Sequence, residues 1–176
     1  MPRGSRHIVF VAAILLLPGC VGASVSGATY AVRASQRGNF EPAAERGDPE
    51  AQYRLGMLHC CMGPGFSAQT ATEWLCRSAH QGYAPAQFEL GRIYAGEIAR
   101  TPTPGQQIVR VVTARRDPVR SHVWFQLAAA QNYERAADRA AESLSELGEQ
   151  ERAAAGAALA SWQDMPCRYD EVFRGQ

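Results

Sequence analysis

The sequence predicts an all-α protein, about six to eight helices in antiparallel pairs stacked as a short α-solenoid. Three observations predict it. The stretch from Ala44 to Gly91 repeats itself at a fixed offset of 35: Gly47 returns as Gly82, Ala51 as Ala86, Gln52 as Gln87, Leu55 as Leu90 and Gly56 as Gly91. The pattern then returns at an offset of 50, with Trp74-Leu75 answered by Trp124-Phe125, and Ala79, Gln81 and Tyr83 by Ala129, Gln131 and Tyr133. Between these landmarks the apolar residues recur at helical spacing. A fixed period of this size is the mark of stacked helix-pair repeats. The 15 residues by which the offsets differ are an insertion, placed at residues 97–117, where the pattern breaks.

Residues 1–19 read as a signal peptide rather than part of the fold. Arg3, Arg6 and His7 form a positive start, and Ile8 to Leu17 is an unbroken apolar run. That run is too short to span a bilayer and suits a signal-peptide core. It ends in Leu17-Pro18-Gly19-Cys20, which resembles a bacterial lipobox with Cys20 as the lipidated residue. Val21 follows Cys20, where an aspartate would favour inner-membrane retention, so the expected location is the outer membrane, facing the periplasm. Residues 20–29, all small or polar apart from two valines, read as a flexible tether.

Removing residues 1–19 leaves 157, enough for one domain with a sizeable core. Residues 30–164 are assigned to the repeat domain. Tyr30 to Arg46 reads as helical but interrupted at Gly38 and Pro42. Asp48 to about Cys61 is the first helix of repeat one (47–81): Asp48 is a natural N-cap with Pro49 at the first helical position. Ala51, Leu55 and Leu58 form its buried stripe, and Gly56 lets a partner helix approach closely. Gly63-Pro64-Gly65 breaks the chain before a second helix, Ser67 to His80, which buries Ala71, Trp74, Leu75, Ser78 and Ala79. Repeat two (82–131) has helices at Ala84–Ala95 and Pro118–Gln131, the latter capped by Asp117. Between them the insertion, punctuated by two Thr-Pro steps, reads as a loop or small hairpin. A degenerate third repeat (132–164) holds Tyr133 to Leu147, with Ala136, Ala137, Ala140, Ala141, Leu144 and Leu147 on one face, and Glu149 to Trp162. Residues 165–176 form a polar tail.

The spaced residues Glu50-Ala51-Gln52 with Leu55-Gly56, Gly63-Pro64-Gly65, Ala71-Thr72-Glu73-Trp74, Ala79-His80-Gln81-Gly82 and Ala86-Gln87 with Leu90-Gly91 resemble the Sel1-like repeat family, cousins of the tetratricopeptide repeats. The resemblance covers roughly residues 40–162. It implies a right-handed superhelix and a role in protein–protein interaction. In the third unit Asn132 stands where the glycine would be, and Ala140-Ala141 where Leu-Gly would be, as suits a terminal repeat.

Composition excludes several chemistries. All 18 basic residues are arginine. Without lysine there is no Schiff-base nucleophile, no P-loop lysine and no Ser-x-x-Lys acylating centre. The chain beyond residue 19 carries 16 arginines against 17 acidic residues, which gives no electrostatic footprint for nucleic acid.

Besides Cys20 the cysteines are Cys60, Cys61, Cys76 and Cys167. In an exported chain these are candidates for disulfides, with the pairing open. His59, Cys60, Cys61, Cys76 and His80 are residue types that bind zinc, but no Cys-x-x-Cys spacing is present and no metal site is assigned. His122 has no recognisable partner. First helices line the concave face of such stacks and present their non-core residues. That makes Gln52, Tyr53, Met57, Gln87, Phe88 and Arg92 the candidate protein-binding surface. The expected function is a lipid-anchored periplasmic scaffold or adaptor that binds a protein of the cell envelope, with no cofactor and no enzymatic activity. The alternative is a cell-wall-related hydrolase, because the cysteine-rich branch of the family is linked to β-lactam hydrolysis. This chain has Ala79 and Ala86 where that branch carries its cysteine pair.

Overall fold

The structure is a computed structural model describing residues 18–60, 67–97 and 116–166, with side chains of the first helix described from Val32 onward. The apolar run of the signal peptide, the Gly63-Pro64-Gly65 break, most of the insertion, Cys61, and Cys167 with the end of the tail lie outside the described residues.

The described residues are all-helical, with no strand. Seven α-helices follow in order: α1 (Pro18–Glu45), α2 (Pro49–His59), α3 (Ala68–His80), α4 (Ala84–Tyr94), α5 (Pro118–Ala129), α6 (Ala136–Glu146) and α7 (Glu149–Ala160). A 3₁₀ turn, Trp162–Asp164, follows α7. Each helix from α1 to α5 packs against the next in the chain, and α7 turns back onto α5.

The capping residues read from the sequence hold the helix starts. The Ala51 N–H donates to Asp48 Oδ1 at 2.7 Å, the Thr70 N–H to Ser67 Oγ at 3.2 Å and the Arg120 N–H to Asp117 Oδ1 at 2.9 Å. Each bond satisfies a donor that a helix N-terminus leaves without an intrahelical partner.

The repeat is visible in the turns. After α1, α3 and α5 the chain reverses through a residue in the left-handed region: Gly47 (φ 96°), Gly82 (φ 83°) and Asn132 (φ 56°). Their N–H groups donate to Ala44, Ala79 and Ala129 at 3.0, 2.9 and 2.9 Å. The next N–H groups, of Asp48, Tyr83 and Tyr133, reach back to Ala43, Ser78 and Ala128 at 3.1, 3.3 and 3.2 Å. This pair of bonds is the Schellman closure, which needs a positive φ at its pivot. Asparagine tolerates that conformation better than other non-glycine residues, so the turn persists where the glycine does not.

Close helix approach is also repeated. A Cβ on Gly56 would sit 2.8 Å from Leu75 Cγ, and one on Gly91 2.6 Å from Phe125 Cδ1. Both glycines therefore admit a large side chain from the helix they face. The main core gathers Leu75, Leu90, Ile93, Tyr94, Val123 and Trp124, and a smaller cluster of Ala44, Ala51 and Leu55 is covered by Phe40 and Trp74.

Four sequence expectations change. The helix from Tyr30 is not interrupted at Gly38 and Pro42, because α1 is one 28-residue helix with Pro42 inside it. The stretch expected as a tether is helical from Pro18; its alanines and isolated glycines do not stop the helix. α6 begins at Ala136 rather than near Tyr133, since Glu134 takes φ 35° and the chain is still turning. Its buried line is Ala136, Ala140, Ser143 and Leu147, whereas Ala137, Ala141 and Leu144 are exposed. A helix covered mainly by α5 buries one narrow row.

Candidate protein-binding face

Of the six residues expected to face a partner, two are buried. Gln52 and Gln87 are 5% and 1% exposed. The Gln52 Nε2 donates to the Ala44 carbonyl at 3.0 Å, and the Gln87 Nε2 to the Ala79 carbonyl at 3.1 Å. Each amide oxygen then accepts from a glutamine of a later helix end: Gln81 Nε2 to Gln52 Oε1, and Gln131 Nε2 to Gln87 Oε1, both at 2.8 Å. Gln52 and Gln87 therefore tie consecutive units together and leave the candidate surface. The 35- and 50-residue offsets already marked all four glutamines, but residue type did not tell an inward amide from an outward one.

The other four, Tyr53, Met57, Phe88 and Arg92, are half-buried. The Tyr53 ring lies 5.5 Å from that of Tyr83, and Phe88 lies 5.4 Å from both Phe125 and Tyr133. These separations suit edge-on aromatic packing. α2 contributes Tyr53 and Met57, α4 contributes Phe88 and Arg92, and the two repeated turns contribute Tyr83 and Tyr133. Tyr83 and Tyr133 are additions to the expected face, and their match at an offset of 50 is the signal in the sequence that marks them as a pair.

Burial raises the pKa of all three tyrosines, and carboxylates add to the effect. Tyr53 is pushed up by burial and then by Glu89, Tyr83 by burial and then by Glu50. Tyr133 is pushed up to about 12, by burial first and then by the neighbouring Glu134 carboxylate. Arg92 faces acids on both sides, Glu89 at 3.1 Å and Glu97 at 3.3 Å. Glu97 also pairs with Arg139, which pairs in turn with Glu142 and lies 5.1 Å from the centre of the Phe125 ring. An alternating chain of charges thus runs from α4 to α6 across α5.

A concavity of about 170 Å³ lies beside that chain, lined by Glu97, Arg116, Ser121, Arg139, Glu142 and Glu146 among others. Its charges pair with one another, Arg116 with Glu146 at 2.8 Å and Arg139 with Glu97 and Glu142.

His122 has partners after all. It is 6% exposed, and its Nδ1 lies 3.0 Å from the Ala140 carbonyl and 3.2 Å from Ser143 Oγ. The Ser143 hydroxyl itself donates to the Ala140 carbonyl at 2.9 Å. This Ser–His contact is enclosed and bound to backbone, so it fixes α6 on α5 and does not offer a nucleophile.

His80, one of the residue types weighed for metal, stacks on Trp124 at 5.6 Å and meets Trp162 edge-on at 6.0 Å. Burial lowers its pKa, and a hydrogen bond with the Met165 backbone opposes the shift. Met165 is 8% exposed and belongs to the main core, so the packing runs past residue 164. Cys60 and Cys76 are 7% and 8% exposed. Among the described residues no group of three or more histidine, cysteine or acidic side chains could hold a metal ion. Nor is any described helix long and apolar enough to cross a membrane. Cys20 lies in the first turn of α1. Compared with known proteins, the chain matches no family model and no curated sequence.

Proposed function

We propose that the chain is a lipid-anchored scaffold or adaptor of the bacterial outer membrane, facing the periplasm, which binds an envelope protein through the face formed by α2 and α4. The carrying observation is the row of half-buried Tyr53, Met57 and Phe88. Tyr53 and Phe88 stand at equivalent places in successive units, and all three only border the core.

The reading takes the fold as a short right-handed solenoid of Sel1-like helix pairs. What supports it is repetition in three dimensions: the same turn closure, the same inward glutamine bond and the same glycine approach, each at the offsets that mark the sequence. Such stacks expose a continuous surface suited to extended partners. Export is supported by the lipobox-like Leu17-Pro18-Gly19-Cys20, and in the oxidising compartment it leads to the buried Cys60 and Cys76 would be candidates for disulfides, with the pairing open.

Two experiments test the parts separately. With Cys20→Ser the protein should lose label from radioactive palmitate and leave the outer-membrane fraction, because the thiolate is the acyl acceptor and a hydroxyl is a far poorer nucleophile. Wild-type protein that is unlabelled and freely soluble in the periplasm would refute the anchor. For the face, crosslinking in intact cells should capture a defined envelope protein. Capture should fall in a Tyr53→Ser, Met57→Ser variant whose helical circular dichroism is unchanged; capture indifferent to these changes would remove α2 from the interface.

A further inference from the structure

The two ends of the stack are incomplete in complementary ways. In the middle units a first helix and a second helix close on each other at the same point. Gly56 of α2 admits Leu75 of α3, and Gly91 of α4 admits Phe125 of α5. Both large side chains are 0% exposed. The offsets of 35 and 50 carry that point to each end of the chain. Phe40 of α1 stands where Leu75 and Phe125 do, and Gln36 stands where Ala71 and Ser121 do. Yet Phe40 is only half-buried and Gln36 is exposed, whereas Ala71 and Ser121 are buried. Val32, one turn before Gln36, is exposed as well. Among the described residues α1 is thus a second helix with no first helix on it.

α6 shows the reverse defect. Ala141 stands where Gly56 and Gly91 do, and Leu144 stands where Tyr94 does. Tyr94 is buried, but Ala141 is exposed and Leu144 is 37% exposed. The cause is α7, which crosses onto α5 instead of lying along α6. α6 is a first helix whose second helix has turned away.

We propose that these ends meet between molecules: α6 of one copy pairs head to tail with α1 of a second copy, setting Phe40 of the second against Ala141 of the first. Register fixes the occupant. Twice in this chain a face of the α6 type is covered by a helix of the α1 type, and the second copy carries such a helix uncovered. α1 and α6 lie at opposite ends of the succession of packed helices, so the pair closes between chains rather than within one. Ala141 brings a methyl to a place where a Cβ on Gly91 would lie 2.6 Å from the Phe125 ring. Ordinary contact needs about 3.5–4.0 Å, so the pair sits roughly 1 Å wider than within the chain, and the association is reversible. A head-to-tail contact can repeat, giving rings or open chains. The inference rests on the helix-pair reading of the fold and needs neither the lipid anchor nor an envelope partner.

The test is sedimentation of the full chain in excess neutrally buoyant detergent, from low micromolar to submillimolar concentration. The mass of the wild type should grow with concentration. Ala141→Glu places a charge in the α6 face, and Gln36→Trp places bulk in the α1 face. Both sites are exposed, so helical circular dichroism should stay unchanged. Alone, each variant should remain monomeric, its self-association weakened by about tenfold or more, since the contact would bury an unpaired carboxylate or a clash. Mixed in equal amounts, the two should form a dimer and stop there, because one intact α1 meets one intact α6. Dimers of either variant alone would mean a symmetric contact and overturn the proposal. So would a wild type that stays monomeric, or a mixture that does not pair. Any of these would leave the anchored scaffold standing, whereas loss of palmitate label or of a captured partner would sink the scaffold and leave self-association intact.

Discussion

At the residue scale, Gln52 and Gln87 each join their helix to the end of the preceding one. Gln87 is 1% exposed, donates to the Ala79 carbonyl and accepts from Gln131. Truncating it to alanine removes both bonds and leaves a buried carbonyl in a space a methyl cannot fill. Each buried polar group stranded in this way costs about 1–3 kcal/mol. Gln87→Ala should therefore lower stability by about 2–4 kcal/mol, measured by urea unfolding, once lost packing is included. Gln131→Ala should cost less, because Gln131 is exposed and water can replace its amide at Gln87. A Gln87→Ala protein as stable as wild type would mean that the inter-unit bonds contribute nothing. Gln52 and Gln87 also show where sequence reading stopped. Their recurrence at 35 residues was plain, but a polar residue at a first-helix position suits a partner-facing surface and an inter-unit tie equally well. What decided it was a carbonyl left over at the end of the preceding helix, and that is visible only in three dimensions.

At the element scale, helix starts and approach points were legible and the continuity of helices was not. Asp48, Ser67 and Asp117 cap as their side chains allow. Pro42 lies inside α1, where a lone proline reads as a break but the surrounding helix carries through. The helical glycines separate into two kinds, and the offset of 35 marks only the first. Gly91 faces three atoms of the Phe125 ring within 3 Å of where a Cβ would stand, whereas Gly156 in α7 has nothing within 4 Å. Gly91→Ala should be destabilising, by about 1–3 kcal/mol from overpacking against a gain of under about 1 kcal/mol in helix propensity. Gly156→Ala should be stabilising by about 0.5–1 kcal/mol. Thermal melts of the two variants moving in the same direction would contradict this division. The turn before α6 supplies a third case. Asn132→Gly should raise the melting temperature modestly, since φ 56° is easier for glycine. The effect should be small, because the added freedom of the unfolded chain offsets part of it.

At the scale of the whole molecule, the described residues show three kinds of tie: the buried glutamines, the charge chain from Glu89 to Glu142, and the aromatic cap in which Trp162 meets both Trp124 and His80. The cap and the tyrosine face give stability a pH window. His59 and His80 are both lowered by burial below the ordinary value of 6.5, so the folded state binds protons less readily than the unfolded chain. Their contribution is complete above about pH 6.5 and is lost as pH falls toward their folded values. Tyr53, Tyr83 and Tyr133 move the other way, raised above 10.0 chiefly by burial, so there the folded state holds its protons more tightly. Their contribution is complete below about pH 10 and fades as pH climbs, with Tyr133 keeping its proton until about 12. Unfolding free energy should thus form a plateau between about pH 7 and 10 and fall on both sides. His80→Phe keeps an aromatic ring between Trp124 and Trp162 but cannot be protonated, so it should make the acid side shallower, with His59 supplying what remains, and leave the alkaline side unchanged. Urea unfolding from pH 5.5 to 11 checks both limbs. Stability that rises on acidification from pH 7 to 5.5, or an acid limb as steep in His80→Phe as in the wild type, would show that the half-buried His80 imidazole is not what the acid side reports.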